Sequence, residues 1–332
     1  MKAQDKWKKR IGMGGVAVGL PVVLFFLCFR HFDFDRFLSE LKHLNVGYFA
    51  AAFSMGAVIL VAMALQWRLF LPKNKQIPFS KMFGIVSLFA MTVNTVPFWG
   101  GHAFAIYLLG HREKVGKTAA LSVITLEQIA EGFGKIFLFA VVAFTCPFPE
   151  WMKKGMEAVM LVVLGAYVLL FVLAYRYRDP SESLSAPTET RFQKLFLVFK
   201  TWAHHLHAIR SFKKMLGGIL LAFFMKGAEA AAIFFVQKSF GVSLPAYAPL
   251  LVLAALGLAT MLPLSPGRLG VFEAAAFVIY QFLGLDPTQA LTLGIFIHMV
   301  HTLPFVLIGY LVSLKWSFKR KDVDLNAEAA LP

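Results

Sequence analysis

Cysteine is nearly missing from this chain of 332 residues: Cys28 lies inside an apolar run and Cys146 in a short loop. Two cysteines so placed exclude a disulfide framework, a thiolate metal centre and a paired-cysteine redox motif. Charge is scarce too. Only 15% of residues are Asp, Glu, Lys or Arg against 58% hydrophobic, too few to clothe a soluble domain. Acidic residues number 18 against 33 basic ones, yet the basic residues lie between apolar runs instead of clustering on a soluble face, so no nucleic-acid partner is expected. Alternating segments of the transmembrane-barrel kind are missing, as is the Ser-Gly-His of lipid phosphatases.

What the chain has in abundance is apolar runs near or above the roughly 20 residues that cross about 30 Å of hydrocarbon. They are Ile11–Phe29, Val46–Leu65, Met82–Leu109, Thr118–Phe144, Met156–Tyr175, Leu216–Phe235, Tyr247–Leu283 and Thr288–Leu314, the third and seventh being interrupted. No small-x-small cleavage site closes the first run, which is therefore expected to remain as an anchor. Of the 33 basic residues, 24 fall in 1–10, 68–81, 111–117, 176–214 and 315–321, and six in 30–45, 145–155 and 236–247. This bias predicts cytoplasmic N- and C-termini in a multi-pass protein of the cytoplasmic membrane.

The same bias decides how the interrupted runs are read. Lys81 and Arg112 belong on one side, and after Pro97-Phe-Trp-Gly-Gly101 only His102–Leu109 remain, about 12 Å of helix, too short to cross. A re-entrant hairpin is expected there. Lys238 and Asp286 flank the other interrupted run, and Pro263–Gly270 breaks its middle, which predicts a second hairpin entering from the opposite face. The expected fold is all-α: a polytopic membrane helix bundle with six full spans and two re-entrant broken-helix hairpins in an inverted-topology repeat. A single integral membrane domain spans 1–332, with halves of roughly 1–175 and 216–315 joined by a basic cytoplasmic segment, 176–214.

Breaks in hydrocarbon survive where protein or a wet cavity satisfies the backbone, so the Pro263–Gly270 break should face inward. Val271–Leu283 then reads as a short helix whose N-terminus favours an anion, with Arg268 adding a guanidinium fork for phosphate and Ser265 and Gly267 lining the turn. The competing reading is a packing kink with Arg268 snorkelling outward. Away from the ends of the apolar runs, and histidine aside, seven charged residues sit within them: Glu127, Glu131, Glu229, Glu273, Lys135, Lys226 and Arg268. Such groups normally face a bundle interior in pairs or beside water. Glu127, Glu131 and Lys135 fall at i, i+4 and i+8 on one helix face, while Gly132 and Gly134 admit a neighbouring helix. Lys226 and Glu229, three apart, can pair locally or reach the Glu127 helix; a polar track and a structural ion-pair network are the two readings. His102, after Gly100 and Gly101 at the first break, could serve as an anion donor or as a backbone cap. His298 and His301 share a helix face with no acid near them in sequence and read as packing residues, a polar lining being the alternative. The run Trp202-Ala-His-His-Leu-His207 suits a surface amphipathic helix better than a metal site, and no metal or other cofactor is expected.

The block Leu262-Pro-Leu-Ser-Pro-Gly-Arg-Leu-Gly-Val-Phe-Glu273, followed by Gly284 and a closing helix with Pro304 and Gly309, resembles the lysylphosphatidylglycerol synthase transmembrane-region family of flippase-like membrane proteins. The resemblance implies a lipid flippase. This sequence departs from the family pattern at Arg268, where a second glycine is common, at Phe272, where a basic residue is common, and at His102, where an acid is common. It also ends at Pro332 without the soluble aminoacyl-transfer domain, so aminoacyl-lipid synthesis is not implied. The expected substrate is an anionic or zwitterionic phospholipid or a polyprenyl-type lipid. A membrane enzyme acting on a polyprenyl phosphate and an ion-coupled carrier of a small anion are the alternatives. Membrane lipids are the expected partners, with a homo-oligomer or a lipid-synthesising enzyme left open.

Overall fold

The computed structural model describes residues 26, 30, 32–96, 100–176, 211–261 and 266–329. The expected anchor other than Phe26, together with Cys28, Ser265, the histidine run 202–207 and nearly all of the joining segment, lies outside the described residues. The described chain is helical: α1 Phe34–Lys42, α2 Val46–Phe70, α3 Phe79–Thr95, α4 Gly100–Tyr107 continuing into a π-turn Leu108–Arg112, α5 Lys117–Thr145, α6 Glu150–Arg176, α7 Phe212–Ser239, α8 Ala248–Ala259, α9 Val271–Phe282 and α10 Pro287–Ala329. Five helices, α2, α5, α6, α7 and the Pro287–Trp316 part of α10, are long and apolar enough to cross a membrane. They match five of the six uninterrupted runs. The protein is a polytopic membrane helix bundle.

Helix starts are set by local chemistry. The Asn45 side chain accepts from the Gly47 and Tyr48 amides to open α2, and Asp33 accepts from the Arg36 amide to open α1, each satisfying donors that have no partner within the helix. α1 is tied to the start of α10 by Arg36 donating to Asp286 at 2.7 Å and the Asp33 amide donating to Thr288.

Helices α2 and α7 pair extensively and run antiparallel. At one end the Asn45 amide donates to the Ser239 carbonyl at 2.8 Å; at the other, Gln66 Nε2 donates to the Gly218 carbonyl. Two apolar cores stack along this pair. The first gathers the latter part of α2, α3, α4, the π-turn and the first half of α5, with Trp67 fully buried against Phe89. The second gathers the latter parts of α5 and α7 with α8, α9 and α10. The two short-helix pairs, α3 with α4 and α8 with α9, thus occupy opposite ends of the bundle.

The pairs touch where each is interrupted. α3 contacts the 3₁₀ turn Pro266–Arg268, and a Cβ added to Gly267 would sit 3.1 Å from the Asn94 carbonyl oxygen. Gly267 has a φ of 60°, and Arg268, at 62°, holds the same left-handed conformation without glycine's freedom, which costs on the order of 1–2 kcal/mol. Between lipid-soluble helices close packing replaces the hydrophobic drive, so small residues lie at the crossings. Gly309 of α10 is an instance: its Cβ would fall 2.5 Å from Met91 Cβ and 2.6 Å from the Ser87 carbonyl oxygen.

Gly309→Ala is expected to lower the melting temperature of the detergent-solubilised protein, at a cost of about 1–3 kcal/mol for overpacking against backbone that cannot retreat. Gly165→Ala, where nothing lies within 4 Å, should leave it unchanged or slightly raised; equal melting temperatures for the two variants would contradict the crossing.

Candidate functional site

Glu131 is the middle residue of α5 and Lys226 lies at the middle of α7, each about 20 Å from either helix end at 1.5 Å per residue. They meet there. Lys226 Nζ donates to Glu131 Oε1 at 2.7 Å and to Glu229 Oε2 at 2.8 Å, and Lys135 Nζ stands 3.7 Å from Glu131. Lys226 both pairs locally and reaches across to the Glu127 helix. The crossing is close because Gly134 lets the Lys226 stem and the Ala222 backbone approach, as its spacing predicts. Gly132 faces Tyr167 of α6, whose hydroxyl donates to the Ile129 carbonyl and whose ring stacks on Phe133.

Glu127, one turn before Glu131, is buried and accepts from Gln128 Nε2 at 2.8 Å. The other members of the cluster keep some access: the side chains of Lys226, Glu229, Glu131 and Lys135 are 12%, 20%, 22% and 28% exposed. Arg268, on the 3₁₀ turn, lies within electrostatic range of Glu229 and Glu131. Its side chain is exposed, and among the described residues it enters no salt bridge or hydrogen bond. Three carboxylates and three cations therefore gather about the middles of α5 and α7, and among the described residues Arg268 is the cation of this group that enters no ion pair.

Glu273 is placed differently from its neighbours in the sequence motif. It is buried, and its Oε2 accepts from the Gly270 amide at 2.7 Å, closing the N-terminus of α9 with its own carboxylate. The amide of the residue that precedes α9 is thus met by the chain itself. Glu273 Oε1 stands 2.6 Å from His298 Nδ1, and His298 Nε2 stands 2.9 Å from the Gly267 carbonyl oxygen. His298, read from sequence as packing, ties α9, α10 and the turn together; the acid it lacks nearby in sequence comes from 25 residues away. Phe272 stacks on His298 at 4.6 Å. His301, one turn on, has Nδ1 2.9 Å from the Ile297 carbonyl and lies within electrostatic range of Glu229 and Lys226.

At the first interruption Gly100 and Gly101 pack against Val96 and Val93 of α3, and His102 lies edge-on to Phe89 at 5.2 Å. These three residues shape the α3–α4 pair. Sequence reasoning missed Asn94, Tyr167 and His298. Asn94 carried a signal in its place just before the break; the other two are defined by helix packing.

Replacing Lys226 with Met leaves Glu131 and Glu229 without their nearest cation and should destabilise the protein by about 3–5 kcal/mol. Lys135→Ala, at a longer and more exposed pair, should cost under about 1 kcal/mol. Thermal unfolding of the two purified variants checks the order, which would be reversed if Lys135 were the neutralising group.

The sequence profile of the family described as Lysylphosphatidylglycerol synthase TM region matches residues 12–309. A search of curated proteins found no match.

Proposed function

Because the chain belongs to the lysylphosphatidylglycerol synthase transmembrane-region family, and so is an integral membrane protein linked to lipid handling, we propose that it is a flippase. Its substrate is an anionic or zwitterionic phospholipid or a polyprenyl-type lipid, moved across the cytoplasmic membrane. In this reading the α3–α4 and α8–α9 pairs are re-entrant hairpins of an inverted repeat, and their contact at Gly267 and Asn94 forms the floor of the headgroup site.

The observation that carries the reading is Arg268. A guanidinium with no partner among the described residues, on a strained turn where two interruptions meet, fits a ligand that brings its own anion. Phosphate is the anion shared by the candidate lipids, and a planar fork engages it through two hydrogen bonds. The Glu131–Lys226–Glu229 cluster continues the polar surface at mid-depth, where a headgroup stripped of water needs replacement partners.

Tail access favours a lipid over a small soluble anion. Only 6% of the apolar window of α6 is buried, against 50% for α10. α6 lies against the charged stretch of α5 through Tyr167 and Phe133 while Leu161, Val168 and Phe171 stay exposed. A loosely held helix beside a charged stretch permits sideways entry, headgroup inward and acyl chains in the bilayer.

In proteoliposomes carrying fluorescent phosphatidylglycerol or phosphatidylcholine, the wild-type protein should accelerate transbilayer exchange. Arg268→Ala should slow it about 10- to 100-fold, the equivalent of roughly 1.5–3 kcal/mol for charge-assisted hydrogen bonds, with Arg268→Lys between the two. Equal exchange with and without wild-type protein would overturn the proposal.

A further inference from the structure

We propose that Glu273 and His298 together form a proton-binding site, and that the proton held there is the coupling ion for movement of the lipid. The inference deepens the flippase reading and rests on it for its second half. Its first half follows from counting donors and acceptors.

Glu273 Oε2 already accepts from the Gly270 amide, and Oε1 lies 2.6 Å from His298 Nδ1. The other ring nitrogen, Nε2, faces the Gly267 carbonyl oxygen at 2.9 Å, and a carbonyl can only accept. Nε2 must therefore carry a hydrogen. The Nδ1···Oε1 contact needs a second one, supplied as an imidazolium beside a carboxylate or as a neutral imidazole beside a carboxylic acid. Both forms contain one proton more than neutral histidine with ionised glutamate. Remove it, and one of the two contacts becomes a confrontation of lone pairs inside a buried site, where an unmet acceptor is costly. The Phe272 ring stacked on His298 suits the charged form, since an aromatic face attracts a cation.

The charged surroundings supply an exit for the proton. On its own helix His298 is followed by His301, whose Nδ1 is committed to the Ile297 carbonyl and whose buried Nε2 has no partner among the described residues. α7 presents Glu229 and Lys226 within electrostatic range of His301, α5 presents Glu127, Glu131 and Lys135, and the turn presents Arg268. The charged residues of α2 and α3, Arg68 and Lys81, lie toward the ends of those helices, and those of α1 lie at the start of α10. The proton leaves His298 for a bare nitrogen or carboxylate of this group, and the pair is left with a net charge lower by one.

The consequence for the lipid site is mechanical. The Gly267 carbonyl held by His298 belongs to the residue next to Arg268, both in left-handed backbone. Losing the proton leaves one ring hydrogen, which the ionised Glu273 carboxylate holds more strongly than a neutral carbonyl does, so the Gly267 carbonyl is released and the turn that aims Arg268 loses an anchor. Gaining it restores the anchor. Proton occupancy and headgroup grip are thereby linked through one residue.

The test uses full-length protein with ¹⁵N-labelled histidine in nanodiscs, the His298 signals being identified by their loss in His298→Gln, and the same protein in proteoliposomes under an imposed pH gradient. The expected spectrum shows both His298 nitrogens hydrogen-bonded through protons, one of them shared with Glu273. Under the gradient, one proton per lipid predicts a steady-state leaflet ratio shifted about tenfold per pH unit. Glu273→Gln can accept from Gly270 and donate to Nδ1, mimicking the protonated pair without a removable proton. It should move labelled lipid to an even distribution whatever the gradient. A bare His298 nitrogen beside ionised Glu273 overturns the site; an even wild-type distribution under the gradient, or a Glu273→Gln variant that follows it, overturns the coupling. If no protein moves lipid while the spectrum shows the shared proton, the flippase reading and the coupling fall and the proton site stands.

Discussion

A backbone interruption within hydrocarbon has no water to turn to, so the protein must meet every amide and carbonyl it frees. Glu273 performs that task at the second interruption. One of its oxygens closes the start of α9 through Gly270, and the other holds His298, which reaches back to the Gly267 carbonyl. The closed loop of contacts lets the turn stand against Asn94 and lets Arg268 keep its strained conformation. Without it, a chain with glycine at 267 and 270 would have several arrangements of similar energy, and a guanidinium aimed by the turn would have no fixed direction.

The same constraint governs the charges. Glu131, Lys226 and Glu229 are tolerable at the middle of two spans because Lys226 bonds both acids at once, and the glycine at 134 brings α5 and α7 close enough for it. A buried network of this kind is seldom the most stable filling for an apolar core. Arg268 stands within electrostatic range of Glu229 and Glu131 beside that network, with no ion pair of its own among the described residues.

Much of this was legible from residues. The lengths of the uninterrupted apolar runs anticipated six spans, five of which fall on described residues and are long helices, and the interruption at Pro263–Gly270 anticipated a short helix beginning at Val271. The i, i+4 spacing of Glu131 and Lys135, and the three-residue spacing of Lys226 and Glu229, anticipated pairs that form. What spacing could not show is contact between segments far apart in the chain. His298 looked like packing because its acid stands on another helix, and Glu273 looked available to a ligand because nothing local revealed its work as a cap. Tyr167 is invisible in sequence for the same reason: its role is fixed by the face α6 turns toward Gly132. Gly100, Gly101 and His102 stood at a break and drew a ligand reading; in the structure they lie beside Val96, Val93 and Phe89.

The central claim is that the two interruptions and the mid-span charges surround one headgroup-sized site. A phospholipid bearing a photoreactive group on its headgroup, bound to the purified protein, irradiated and mapped by mass spectrometry, addresses it directly. The account predicts adducts in 266–268 of the turn together with 127–135 of α5, suppressed by unlabelled lipid. Adducts confined to the exposed apolar face of α6, around Leu161–Phe171, would contradict it.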